Sequence, residues 1–511
     1  MQLLASSVVN YTQGVVLSIL FGLLTLLSIF FAIFYIVRFG GESKDDSEGI
    51  SLGKKVYSIK KVMLIILLVG IVVRIVCGLL VIGHRREFAE NIYYTLRYVS
   101  KYDETDTNKI LYPLTYYVMQ IFAGIWINAG VSTDAVLLNF SIKIPFIIAD
   151  VITAILLLKT AKQYFNQKVA LVFFALVMLC PLFVFVSVVW GSVITLIAPP
   201  ILLAINLLLS KKHAFSIIAF VVATLLAKEA VILIPVLLVY FGYVWVKSIR
   251  AVSSKKFDKE DKLNSWTIPL VTAFCVGFGY LLCLAYTSQF NMYSFAEVIN
   301  EFYIRPFTNV FYYGENVANI YVLFGKSETV PNMWIPTEFN ATLMFVLFIA
   351  LIIVIASAIF FAKKNRATIV LVMAYVLLTI NVYYVGLTAI SILPTLALLL
   401  FAYLIIKDKR ILKTFTVCAV SMMIVALAVF TVAGYFNTEP LSFFKSSSYT
   451  GQTYLTGDYS IPLITASVFQ VLNHLYMSFY IFDITYGKHV QLLDYNAKCT
   501  ISDVMYTIFS K

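Results

Sequence analysis

Glu87 stands in GHRREFAEN (83–91) beside Arg85 and Arg86, just past the end of an apolar run. A carboxylate there could take a proton from a hydroxyl or help hold a divalent metal. The neighbouring guanidinium groups could pair with a phosphate. Other polar groups border apolar runs in the same way: Lys143, the turn Trp190-Gly191-Ser192, and the pair Lys228-Glu229 in LLAKEAVILIP. Ionisable groups near membrane depth are costly and are functional candidates by default. If these residues share one rim, they frame a polar cavity that a lipid-borne substrate enters sideways.

The elements that must position them are membrane helices. Of the 511 residues, 61% are hydrophobic and 13% are charged, and mean hydropathy is +0.91, far from a soluble domain. About 20 apolar residues cross the hydrocarbon core as a helix. Thirteen runs approach that length: 14–37, 62–83, 139–158, 169–190, 193–210, 213–228, 230–246, 267–286, 341–362, 367–385, 387–406, 412–435 and 461–484. The expected fold is an all-α polytopic membrane protein with about 13 transmembrane helices. No Lys or Arg precedes the first run and no small-residue cleavage site follows it, so it is read as a retained span. The six cysteines form no CxxC pair and no metal-type cluster, and read as small packing residues.

Net charge is +12. Because the basic residues sit in short connectors, anionic lipid headgroups, not nucleic acid, are the expected partner. Connectors 38–61, 159–168, 211–213, 247–266, 363–366 and 407–413 hold 24 of the 38 Lys and Arg residues. The positive-inside rule puts them all in the cytoplasm. That holds only if 114–130, which resembles a span, does not cross. Its Tyr116, Tyr117 and Trp126 suit an interfacial helix at the outer surface. The N-terminus is then outside and the C-terminus cytoplasmic, and 84–138, 287–340 and 436–460 are the outer segments.

KIPFIIADVITAILLL (143–158), CPLFVFVSVVWGS (180–192), LLAKEAVILIP (225–235) and ILPTLALLLFAYLIIKDKRIL (392–412) resemble segments of the GT-C glycosyltransferases. The likeness is to bacterial mannosyltransferase-like members, relatives of the protein O-mannosyltransferases, and covers roughly 62–435. It divides the chain into an extra N-terminal helix and basic loop (1–61), a GT-C-like core (62–435), and an outer loop, last helix and tail (436–511). It implies sugar transfer from a polyprenyl-phosphate carrier to an envelope glycan, lipid or protein on the outer face of a bacterial plasma membrane. By the same resemblance Glu87 is the catalytic acidic position, acting either as general base on the acceptor hydroxyl or as a holder of a divalent metal; the residues themselves do not specify a cofactor. Tyr112-Pro113 starts the surface helix, and Lys228, with Glu229 beside it, faces a phosphate. Arg85, Arg86 and Arg305 are further phosphate partners, while Lys143, Trp190, Gly191 and Ser192 shape the site.

Two family elements are altered. Trp-Gly-Gln-x-Asp reads Trp190-Gly191-Ser192-Val193-Ile194, and the His-Glu-Arg-Tyr position reads VGLTAIS (385–391), without an ionisable group. A catalytically inactive scaffold, or a partner subunit of an envelope-assembly complex with membrane-protein partners, accounts for those losses. A transporter or lipid flippase would instead place polar groups at mid-membrane, where only Arg74 and Asp150 lie. Those two either pair with each other or face a lateral cavity. Glu87 also reads as an exposed rim carboxylate, Pro113 as a helix start, Lys228 as a snorkelling lysine and His84 as solvated. Pro199-Pro200 is expected to kink its span, and the sequons at Asn10 and Asn340 fall on outer segments. Glu87→Cys and Lys228→Cys, each in a background without native cysteines, are expected to react with an impermeant maleimide from the same side of the membrane. Labelling from opposite sides would rule out a shared rim.

Overall fold

The computed structural model describes residues 11–40, 50–52, 55–81, 83, 92, 96, 111–131, 136–255, 258–288, 294–308, 318–324, 338–363, 365–384, 387–431 and 461–486. Within them the chain is helical, apart from a short antiparallel hairpin in the first basic connector, Ile50–Leu52 with Lys55–Tyr57. Eight helices, not thirteen, are long and apolar enough to span a membrane alone, among the described residues. A ninth results if Gln167–Leu179 and Pro181–Trp190, bent by 41°, form one broken span. The apolar stretches Val193–Leu209, His213–Thr224 and Ile390–Ile406 are shorter helices. Ile461–Tyr486 has the length, but buries Gln470, Asn473 and His474 on its packed side. Pro199 and Pro200 do not kink a helix. They occupy the first turn of Ala198–Leu209, after a 3-10 stretch at Val193–Ile197, where a missing N–H costs nothing.

The bend after Leu179 has a chemical cause. In a continuous helix the Val177 carbonyl would accept from residue 181, which is proline and has no N–H. A carbonyl left open at membrane depth costs several kcal/mol. Arg74, fully buried on Ile59–Leu80, replaces the lost donors. Its Nη2 donates to Val177 O at 2.9 Å, and its Nη1 to Met178 O at 2.6 Å and Gly70 O at 3.2 Å. Its Nε pairs with Asp150 Oδ2 at 2.8 Å. Of the two readings open for Arg74, the pair with Asp150 is therefore correct, and no lateral cavity solvates it. Gly70 lets the two helices approach, because a Cβ there would stand 2.9 Å from Met178 O.

The ends of the helices sort into two groups. Asn166 Nδ2 donates to Phe39 O at 3.3 Å, and Lys407 Nζ to Tyr164 O at 3.1 Å. Thr160 reaches Asn206 at 3.1 Å, Arg366 reaches Leu209 O at 3.4 Å, and Lys211 reaches Glu260 at 2.7 Å. All six basic connectors thus meet at one end of the bundle. At the other end, Lys143 Nζ bonds the carbonyls of Gly78 and Val81. The 59–80 helix therefore ends beside the start of the Val136–Tyr164 helix. The helix between them in sequence, Pro113–Asn128, has 16 residues and is not among the candidate spans.

Asp150→Ala leaves the Arg74 charge unpaired and is expected to cost about 3–5 kcal/mol of stability, read by unfolding in detergent. Pro181→Ala restores an N–H near Val177 O, so it should offset part of the loss caused by Arg74→Gln. Strict additivity of those two changes would dismiss the donor-replacement account.

Candidate functional site

The polar end is organised around a second helix break. His213–Thr224 stops, Ala227 is extended (φ −162°, ψ 158°), and Lys228–Val231 makes one turn before Ile234–Ser253 resumes. The break frees the carbonyls of Leu225 and Leu226. Leu114 N–H donates to Leu225 O at 3.0 Å, and the Thr115 hydroxyl to Leu226 O at 2.6 Å. Pro113 at the helix start has no N–H, so the first donor the helix must satisfy is that of Leu114. The Pro113–Asn128 helix is docked by its own N-terminal turn onto the backbone that carries Lys228 and Glu229.

Two further segments close on this turn. Tyr112 Oη donates to Phe302 O at 2.7 Å, and its ring packs 5.7 Å from that of Phe302. Burial raises the Tyr112 phenol well above its usual range, and the nearby Glu229 carboxylate adds to the effect. Glu229 is itself buried, at 5% exposure, and accepts from Ser391 Oγ at 3.2 Å. Ser391 also accepts from Thr388 N–H at 3.2 Å, which caps the turn leading into the 393–406 helix. Arg305 Nη1 pairs with Glu301 Oε2 at 3.0 Å one turn apart. Burial raises the Glu301 carboxyl, with Arg305 opposing. Lys228 is half-buried at the start of its turn.

Tyr112, Pro113, Lys228, Glu229 and Arg305 therefore gather at one place. Lys143 is at the same end but has a different task. Its ammonium, fully buried, caps the last carbonyls of the 59–80 helix, where the helix dipole favours a cation. Trp190, Gly191 and Ser192 form a backbone device. Gly191 takes φ +76° to end the π-turn at Phe185–Trp190, and Ser192 Oγ accepts from Ile194 N–H at 3.3 Å. Glu87, Arg85, Arg86 and His84 lie outside the described residues. Among the described residues, no three His, Cys, Asp or Glu side chains come together to hold a metal ion.

Ser391 and Thr115 carry no sequence signal, since a hydroxyl in an apolar run is ordinary. Glu301 and Arg305 did carry one, the four-residue spacing that aligns a pair on one helix face. No protein-family model matches the chain, and no curated protein matches it significantly.

Glu301 holds its proton more tightly folded than unfolded. Its contribution to stability is complete below the ordinary carboxylate range and is lost as pH rises through the raised value. Glu301→Gln should flatten the fall in stability as pH rises above the ordinary carboxylate range; an unchanged slope there would show that Glu301 does not titrate as its burial requires.

Proposed function

We propose that the chain is an integral-membrane glycosyltransferase of GT-C type. It would take a sugar from a polyprenyl-phosphate carrier at the end of the bundle opposite the basic connectors. With those connectors in the cytoplasm, the site faces outward in a bacterial plasma membrane, the N-terminus is outside and the C-terminus inside. The thirteen apolar runs then make thirteen crossings, the shorter and broken helices included, with 113–128 lying along the outer surface. The acceptor is an envelope glycan, lipid or protein.

One observation carries this reading. Three segments distant in sequence, 112–115, 301–305 and 388–391, converge on the Lys228-Glu229 turn, with a buried carboxylate and a lysine side by side. In the proposed reaction the acceptor oxygen bonds to the anomeric carbon as the bond from that carbon to the phosphate oxygen breaks. The carrier phosphate leaves as an anion, Lys228 offsets its charge, and the acceptor proton passes to Glu87. The Glu229–Ser391 bond holds the 388–391 turn against the site.

A second reading, an inactive scaffold, is favoured by the cations already committed elsewhere. Arg305 is tied to Glu301 and Lys143 to helix carbonyls, which leaves less positive charge for a phosphate. Transfer of radiolabelled hexose from polyprenyl-phosphate donors, in nanodiscs with envelope extract as acceptor, separates the two. Glu87→Gln is expected to lower the rate by about 100-fold or more at unchanged expression, and Lys228→Ala to weaken donor use. Wild-type protein that neither transfers sugar nor crosslinks to a photoreactive polyprenyl phosphate would leave the scaffold standing.

A further inference from the structure

The basic end holds a polar cluster built from three connectors. Glu260, in the first turn of Lys259–Thr287, receives Lys211 Nζ on Oε2 at 2.7 Å. Its Oε1 faces His213 Nε2 at 3.8 Å and Arg366 Nη2 at 3.9 Å. Both separations exceed hydrogen-bond reach, so Glu260 accepts from neither of these nitrogens.

Two buried atoms strengthen the case. Among the described residues, His213 Nδ1 and the Tyr240 hydroxyl have no hydrogen-bond partner, on residues only 3% and 1% exposed. Their ring centroids are 5.9 Å apart. Buried polar atoms are nearly always partnered, so two orphans side by side mark a place for a further oxygen. The helix that begins at His213 has no side-chain cap, so its positive end adds to the two cations. Lys211 and Arg366 outnumber the single Glu260 carboxylate, and their side chains are 42% and 29% exposed, within reach of the surface.

The level in the membrane identifies the source of that oxygen. Trp245 and Trp266, 38% and 75% exposed, lie on the neighbouring helices near the same end. Trp245 Nε1 donates to Ser265 O at 3.3 Å. Exposed indoles favour the headgroup layer.

We propose that Lys211, His213, Tyr240 and Arg366 form a site for a phosphate-type oxyanion, supplied by the headgroup of an anionic phospholipid. Lys211, Arg366 and Tyr240 donate to the phosphate oxygens, and His213 donates through one ring nitrogen. Glu260 competes with the lipid for the cations. The site is at the opposite end from the Lys228-Glu229 turn, and stands whether or not the chain transfers sugar.

The test is quenching of tryptophan fluorescence in nanodiscs by phosphatidylglycerol or phosphatidylcholine brominated on the acyl chains. Brominated phosphatidylglycerol should quench at the lower mole fraction. The double change Lys211→Gln, Arg366→Gln should raise its half-quenching fraction by roughly 30-fold, two cations' worth, and leave phosphatidylcholine unaffected. No headgroup preference in the wild type, or a preference that survives the double change, overturns the site. Excess inorganic phosphate separates the sources: displacement of the lipid means that the site takes the free anion too, and no displacement means that it holds the headgroup as lipid. Glu260→Gln keeps the size and removes the competing charge, so it should strengthen the preference several-fold. An unchanged or weaker preference in that variant refutes the proposal even if the double variant does not fold.

Discussion

A backbone carbonyl inside a membrane must find a donor within the protein, and this chain breaks its helices repeatedly at positions water does not reach. Arg74 shows the solution at its most demanding. One guanidinium takes the two carbonyls orphaned by Pro181, a third in its own helix, and the Asp150 carboxylate. Arginine suits that task because its donors are fixed in a planar fork and it keeps its charge when buried. A lysine could not reach four acceptors in that arrangement. The neutralising carboxylate is equally necessary, since an isolated cation at that depth would be far costlier than the open carbonyls it serves.

The same constraint is met at two other places by other chemistry. At the end of the 59–80 helix a buried ammonium, Lys143, takes the Gly78 and Val81 carbonyls. At the break after Leu225 the donors are neutral, a backbone N–H and a threonine hydroxyl from the 113–128 helix. Each interruption is thereby a docking point. Arg74 locks the bent helix pair to its neighbours, Lys143 brings the start of the 136–164 helix to the end of the 59–80 helix, and Leu114 and Thr115 seat the 113–128 helix. The polar end is held together by what the broken helices left unpaired.

This changes how charged residues in the chain are read. Rarity at membrane depth drew attention to Lys143 and to the turn at 190–192, and both serve the backbone. Helix C-termini and catalytic clefts make the same demand for a desolvated cation, so residue type cannot tell them apart. Glu229 is a different case. It lies in a break, buried, and accepts from a serine hydroxyl far along the chain, which leaves the carboxylate with acceptor capacity to spare.

Much of the architecture was legible in the linear pattern. Apolar runs mark helices because hydrocarbon forbids exposed backbone, and the six basic connectors mark one end because charge does not cross. Those two facts also led to the expectation of no net crossing between 81 and 136, and the Lys143–Val81 bond sets the two flanking helix ends side by side. Run length alone did not show where the helices divide, because prolines at 181, 199, 200 and 235 start new helices where hydropathy runs on. Which cation meets which carbonyl, and that residues 112, 229, 302 and 391 share one neighbourhood, was settled only by tertiary packing. Hydropathy records where a segment lies relative to lipid, and carries no trace of which neighbour it turns toward; that depends on hydrogen bonds between segments up to about two hundred residues apart.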